Sequence, residues 1–238
     1  MRQSGNNDNI IYFNTRKKEI RSRKNRQSNS LKPYGCIALM LIAIALVAII
    51  TDKYCDIPIT VSIIAANVAV FVMLKTGRLS VTQLGSSYNT IMCNGQYYRI
   101  VSSAFSHEDP LHIICNMYSL YNLGTAMENF LGPFYFSVSY IFLTLAGGYT
   151  ASRLKKKHSP YRLSIGASGV LCGFLGMYTV FILVIVGVQG IRSLFTTYLI
   201  LGLMTFSKNI DSIGHFVGLF VGIIWGLMLV VSRLYLGM

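Results

Sequence analysis

Residues 163–191 read LSIGASGVLCGFLGMYTVFILVIVGVQGI, twenty-nine in a row without a charged side chain. A helix needs about 20 apolar residues to cross a hydrocarbon layer of about 30 Å, so this stretch is long enough to span a bilayer. Glycines at 166, 169, 173 and 176 recur at helical spacing within it. They leave a strip free of side chains, where a second helix can approach closely. Cutting the rest of the chain at its charges leaves further uncharged runs at 33–51, 57–74, 110–127, 129–152, 193–207 and 212–232. Seven spans are expected, the sixth short. The uncharged run 79–98, LSVTQLGSSYNTIMCNGQYY, is too rich in polar groups to face lipid, so 75–110 is read as one long loop, partly embedded and covered by protein.

Composition agrees. The 238 residues are 53% hydrophobic and 12% charged, against about 25% charged in an ordinary soluble domain, which excludes a plain soluble globule. The fold class expected is an all-α membrane protein, a polytopic helical bundle. Twenty-one Lys and Arg against eight acids give a net charge of +13. Nine of those basic residues fall within residues 1–32, a tail with no apolar period that is expected to be disordered and to lie against anionic lipid head groups. It has no aromatic interleaving, so nucleic acid is not an expected partner. If all seven spans cross, eighteen basic residues share the face of the tail and three lie opposite. The positive-inside rule then puts residues 1–32 in the cytoplasm. Five cysteines (Cys36, Cys55, Cys93, Cys115 and Cys172) form no CxxC pair, so neither a disulfide framework nor a zinc site is expected.

Polar groups inside spans are costly and mark function. His112 and Asn116 stand four residues apart, on one helix face, where imidazole and carboxamide can donate to a common point. Ser168 lies in Gly166-Ala167-Ser168-Gly169 at the start of the fifth span. His215 lies in the last span between Gly214, Gly218 and Gly222. Two glycine-faced helices can bring a serine oxygen to an imidazole nitrogen, the geometry that activates a serine nucleophile. Each motif alone also has a duller reading, an interhelical hydrogen bond or close packing. Asp211, one turn before His215, either opens that helix or orients the ring.

HIICN at 112–116, GASG at 166–169, GHFVGLFVG at 214–222, YYRIVSSAFSH at 97–107 and TAMENFLG around Glu128 together resemble the rhomboid family of intramembrane serine proteases. The resemblance covers about 57–232. It implies a six-helix catalytic core there, with 33–51 an extra transmembrane helix in front. It also implies a serine endopeptidase that cuts single-pass transmembrane proteins near the aqueous boundary. Ser168 would be the nucleophile, His215 the base and then acid, and His112 and Asn116 donors of the oxyanion hole. Gly166 and Gly169 would be supporting residues of the motif around Ser168, Arg99 would tie the long loop, Glu128 would end the following helix, and His107 would line a water-filled cavity. No cofactor and no metal are implied.

The chain departs from the family pattern in carrying Tyr98-Arg99 where Trp-Arg is frequent, and Cys172 where an aromatic ring often supports the catalytic imidazole. The extra helix would invert the core relative to six-span relatives and turn the Ser168 end to the cytoplasm of a bacterial plasma membrane. A catalytically inactive rhomboid-like protein that binds or escorts membrane helices is the alternative function. A small transporter would require charged residues at mid-membrane, which are nearly absent.

Overall fold

The computed structural model describes residues 35, 38, 42, 44–49, 56–190, 192, 194, 195, 198 and 211–236. The expected spans at 33–51 and 193–207 therefore lie largely outside the described residues, and the tail 1–32 entirely so. The elements below belong to one unit, Met40–Met238.

Proline at its first position starts α1, Pro58–Lys75. The loop that follows holds two short helices, α2 at Val81–Leu84 and α3 at Tyr98–Ala104, with a π-helical turn at Asn89–Cys93 between them. Pro110 then starts a continuous run to Leu154, made of α4 (Pro110–Ser119), α5 (Thr125–Phe142) and α6 (Gly148–Leu154), joined by π turns at Leu120–Gly124 and Leu143–Gly147. Two further apolar helices follow among the described residues, α7 at Ser168–Ile185 and α8 at Ser212–Leu236.

The 45 residues from Pro110 to Leu154 would reach about 67 Å if straight, twice a bilayer. They do not run straight. Gly132 takes φ 78°, open to glycine alone at no cost, and Pro133 follows it, so the chain reverses there. Cutting at charges put the break at Glu128, four residues early. Glu128 is buried instead, because its carboxylate caps α1 by accepting from Ile59 N at 2.9 Å and Thr60 N at 2.7 Å. It thus ties two helices together rather than ending one.

Contacts fix the direction of each helix. Lys75 donates to the Glu108 carbonyl, so the end of α1 meets the start of α4, while the Glu128 cap joins the start of α1 to the opposite, far end of α4 and α5, just before the reversal at Gly132. Phe130 against Phe181 marks that far end, and Gly148 against Ile100 shows the chain back at the first. Both α7 and α8 begin at the end holding the loop and run away from it. Their contacts run in step, Gly169 with Gly218 and Gly173 with Gly222, so they are parallel.

Lipid supplies no hydrophobic drive between spans, so close packing holds the bundle. A methyl group placed on Gly218 would overlap the Gly169 carbonyl, and one on Gly222 the Gly173 carbonyl. The opposite face of α8 turns Phe216, Phe220, Ile224 and Leu227 outward. Phe136 stacks on Phe174 and Phe142 on Trp225, whose Nε1 donates to Ser139 Oγ.

Candidate active site

The loop is fastened first. Buried Arg99 on α3 donates from Nη1 to the carbonyls of Thr82 and Gly85 and from Nε to Gln96. That holds Ser86, whose backbone exchanges two hydrogen bonds with Ser164, at 3.1 and 2.7 Å. Gly166, at φ 99°, then donates its N–H to the Ser103 carbonyl. The chain entering α7 is thereby laid on the loop, and Ser168 becomes the first residue of that helix.

His215 stands in the first turn of α8, which Asp211 opens. Asp211 Oδ1 accepts from Gly214 N at 3.1 Å, and its carbonyl accepts from His215 N. The two glycine-faced helices bring His215 Nε2 to 2.8 Å from Ser168 Oγ. His215 Nδ1 has no hydrogen-bond partner among the described residues. Asp211 therefore serves the helix start and does not orient the ring directly.

His112 and Asn116 project from α4, and Asn116 Nδ2 donates to the His112 carbonyl at 2.8 Å. His112 lies against Gly166 so closely that a Cβ there would come 2.6 Å from His112 Nε2. The close approach, as well as the φ angle, requires glycine. His107 is fully buried behind them, its ring edge-on to His112 at 4.9 Å, with Nε2 accepting from Ala167 N at 3.4 Å. Burial first, and the neighbouring His112 second, pull His107 down to about 4, so it stays neutral and able to accept.

A cavity of about 60 Å³ opens beside this pair, lined by Ser168 and His215 together with Ser103, Thr144, Ser164 and Asp211. A cavity needs about 10–15 Å³ to hold a water, so this one admits water, and its polar groups can hold it. Contrary to expectation, His107 is not in its wall. His107 and His112 stand against Gly166 instead.

Sequence reasoning missed Lys155 and Ser164. Lys155 is read naturally as a solvated charge in the run Lys155-Lys156-Lys157, yet it is 1% exposed and pairs with Asp211 and Ser164. Cys172 is buried in α7.

Residues 94–232 match the family model of the rhomboid domain, more than half of the chain. The chain belongs to the rhomboid family. Rhomboid protease GluP of Bacillus subtilis is 27% identical over 169 residues, covering 67% of this chain and 32% of that protein. Putative rhomboid protease YdcA of the same organism is 25% identical over 62% of this chain and 75% of its own length. Rhomboid-like protease 3 of Toxoplasma gondii is 24% identical, with 59% and 54% covered. The match thus spans a third of GluP and about half of the Toxoplasma relative. With four helices long and apolar enough to cross a bilayer among its described residues, this rhomboid is an integral membrane protein.

Proposed function

We propose that this rhomboid is an intramembrane serine endopeptidase that hydrolyses peptide bonds in or near the helices of single-pass membrane proteins, using Ser168 and His215. The observation carrying this reading is the 2.8 Å contact between His215 Nε2 and Ser168 Oγ at the wall of a cavity that Ser103, Thr144, Ser164 and Asp211 also line. A helix keeps its carbonyls hydrogen-bonded within itself, so a substrate must first unwind locally to offer one.

In the proposed sequence His215 Nε2 takes the proton of Ser168 as Oγ attacks the scissile carbonyl carbon. The C=O becomes a tetrahedral oxyanion. Donors for it are the Ser168 N–H at the positive end of α7, the His112 ring, and the second hydrogen of the Asn116 amide. Each such donor is typically worth about 3 to 4 kcal/mol in the transition state. His215 then gives its proton to the leaving nitrogen, and the C–N bond breaks. A water from the cavity then attacks the ester carbon as His215 takes its proton; the C–Oγ bond breaks, His215 returns that proton to Oγ, and the acid product leaves.

The loop 75–110, the loop 155–165 and the start of α8 lie at the Ser168 end, and Lys75, Arg78, Lys156, Lys157 and Arg162 are exposed there. By the positive-inside rule we assign that end, and residues 1–32, to the cytoplasm. A cysteine introduced at exposed position 156 should react with an impermeant reagent only from the cytoplasmic side. Reaction from outside alone would reverse the assignment.

The deciding experiment incubates purified protein in proteoliposomes with a single-pass substrate, beside Ser168→Ala and His215→Ala. Product should be lost in both variants. Equal product from Ser168→Ala would favour a non-catalytic helix-binding role.

A further inference from the structure

Lys155 closes α6 as an enclosed ammonium, while Lys156 and Lys157 beside it are exposed. A buried charge persists only when it is paired and hydrogen-bonded. Nζ reaches Asp211 Oδ2 and Ser164 Oγ. Those partners have a common relation to the dyad: Ser164 stands four residues before Ser168, and Asp211 four before His215. One ammonium thus joins the segment that delivers the nucleophile to the turn that delivers the base. Ser164 is in turn bridged to Ser86, and Asp211 caps Gly214 N.

We propose that Lys155 and Asp211 are positioning residues, an ion pair that sets the separation of Ser168 and His215 and keeps uncompensated charge away from the imidazole. This rests on the dyad reading above. Burial pulls Lys155 below its ordinary value, and Asp211 opposes that only in part. Burial works against the Asp211 carboxylate as well, but Lys155, Ser164 and the Gly214 amide outweigh it and hold it below the usual range. The charged and titratable groups acting on His215 are Asp211 on its own helix, Lys155 from the end of α6 and His112 from α4. Arg162 acts on Lys155 in turn, and Glu108 and Asp109 act on His112. With both members present, the opposite charges of Lys155 and Asp211 offset at the ring. Removing one leaves the other alone beside it.

The test uses the full chain in proteoliposomes with a single-pass substrate and the variants Lys155→Met, Asp211→Asn and the double. Asn retains an acceptor for Gly214 N–H. Rates are normalised to Ser168 labelled by a fluorophosphonate, so that only folded, site-competent protein counts. Each single variant should lose kcat on the order of 10- to 100-fold with KM unchanged, the cost of a misplacement near 1 Å. The acid limb of the kcat/KM profile should move to higher pH in Lys155→Met, where a lone carboxylate favours imidazolium. It should move to lower pH in Asp211→Asn, where a lone ammonium opposes it. In the double variant the limb should return while kcat stays about tenfold down, because the neutral pair no longer locks the two segments.

A merely structural role would not move the limb in opposite directions. Should a single variant fail to fold, the double, which buries no lone charge, decides through its kcat. Wild-type kcat in the double, or limbs that shift together or not at all in the singles, overturns the proposal. Cleavage by Ser168→Ala would sink the dyad reading itself. A dead Ser168→Ala beside a fully active double would sink only the ion-pair proposal.

Discussion

Substituting Gly218 by alanine should uncouple the dyad without touching either of its members. Gly218 lies three residues past His215 and faces Gly169, the residue after Ser168. A methyl at 218 would overlap the Gly169 carbonyl oxygen, with the carbonyl carbon at 3.0 Å and the Cα at 3.4 Å. Neither atom belongs to a flexible side chain, so the helices themselves must part, by roughly 1 Å, at the point where backbone contact holds them. A Ser168 Oγ to His215 Nε2 distance of 2.8 Å then opens to about 3.8 Å, beyond any hydrogen bond. The expected loss is on the order of 10²-fold in kcat, with overpacking costing about 1–3 kcal/mol of stability. Alanine is the better helix former by about 1 kcal/mol, so helix propensity works against this loss. Gly169→Ala is the control across the same interface. Its methyl would lie 3.6 Å from the Gly214 carbonyl, an ordinary contact, so activity should fall little. Cleavage of a single-pass substrate in proteoliposomes, with thermal unfolding in detergent alongside, measures both variants. Full kcat in Gly218→Ala, or equal losses in the two, would refute the packing argument.

Arg99→Lys should loosen the 75–110 loop, because one ammonium cannot reproduce the guanidinium's fork to Gln96 on one side and to the Thr82 and Gly85 carbonyls on the other; faster cleavage of that loop by added protease checks it. Glu128→Gln keeps one acceptor but turns an amide N–H₂ toward the second backbone N–H of Ile59 and Thr60, so the unfolding midpoint in detergent should drop with a cost of about 1–2 kcal/mol. His107 titrates at about 4 when folded against 6.5 as a free side chain, so the unfolded chain binds more protons between those values and stability should fall as pH is lowered through that window. His107→Gln should flatten that dependence, which thermal unfolding at neutral pH and near pH 5 measures; an unchanged slope would show that other groups carry it.

The meeting of Ser168 and His215 was legible because its surroundings are chemically unusual. Glycines spaced for contact on two long uncharged runs, one carrying a serine and one a histidine, leave few arrangements that place both polar groups acceptably in lipid. Each misreading traces to a tertiary partner that local pattern does not encode. Glu128 looks like a span boundary because an acid in lipid is costly. Its cost is offset by two amides at the start of a helix 68 residues earlier in the chain, and the true break lies at Gly132. Lys155 sits among three lysines, and nothing in that run says which one turns inward. Its place is set by Ser164 and Asp211, the latter 56 residues away. His107 sits in a loop, where a histidine is ordinarily solvated, but it is drawn under Ala167 and His112.

These misreadings have one physical origin. In water a loop charge is solvated at no cost, so charges mark the edges of structure reliably. At the mouth of a cavity sunk among helices that rule weakens, since backbone amides, hydroxyls and opposite charges from distant segments replace the water. Arg99, Lys155 and Asp211 each satisfy polar groups on two chain segments, and Glu128 satisfies two amides of a distant helix, while glycine contacts bring the helices close enough for those groups to meet. A bundle held only by apolar packing in lipid could slide along its glycine strips at little cost. The buried charges forbid such sliding, because a shift of one helical turn would strand an ion or a pair of amides in hydrocarbon. Register between α7 and α8, and with it the distance from Ser168 to His215, therefore depends on charges that lie outside the dyad.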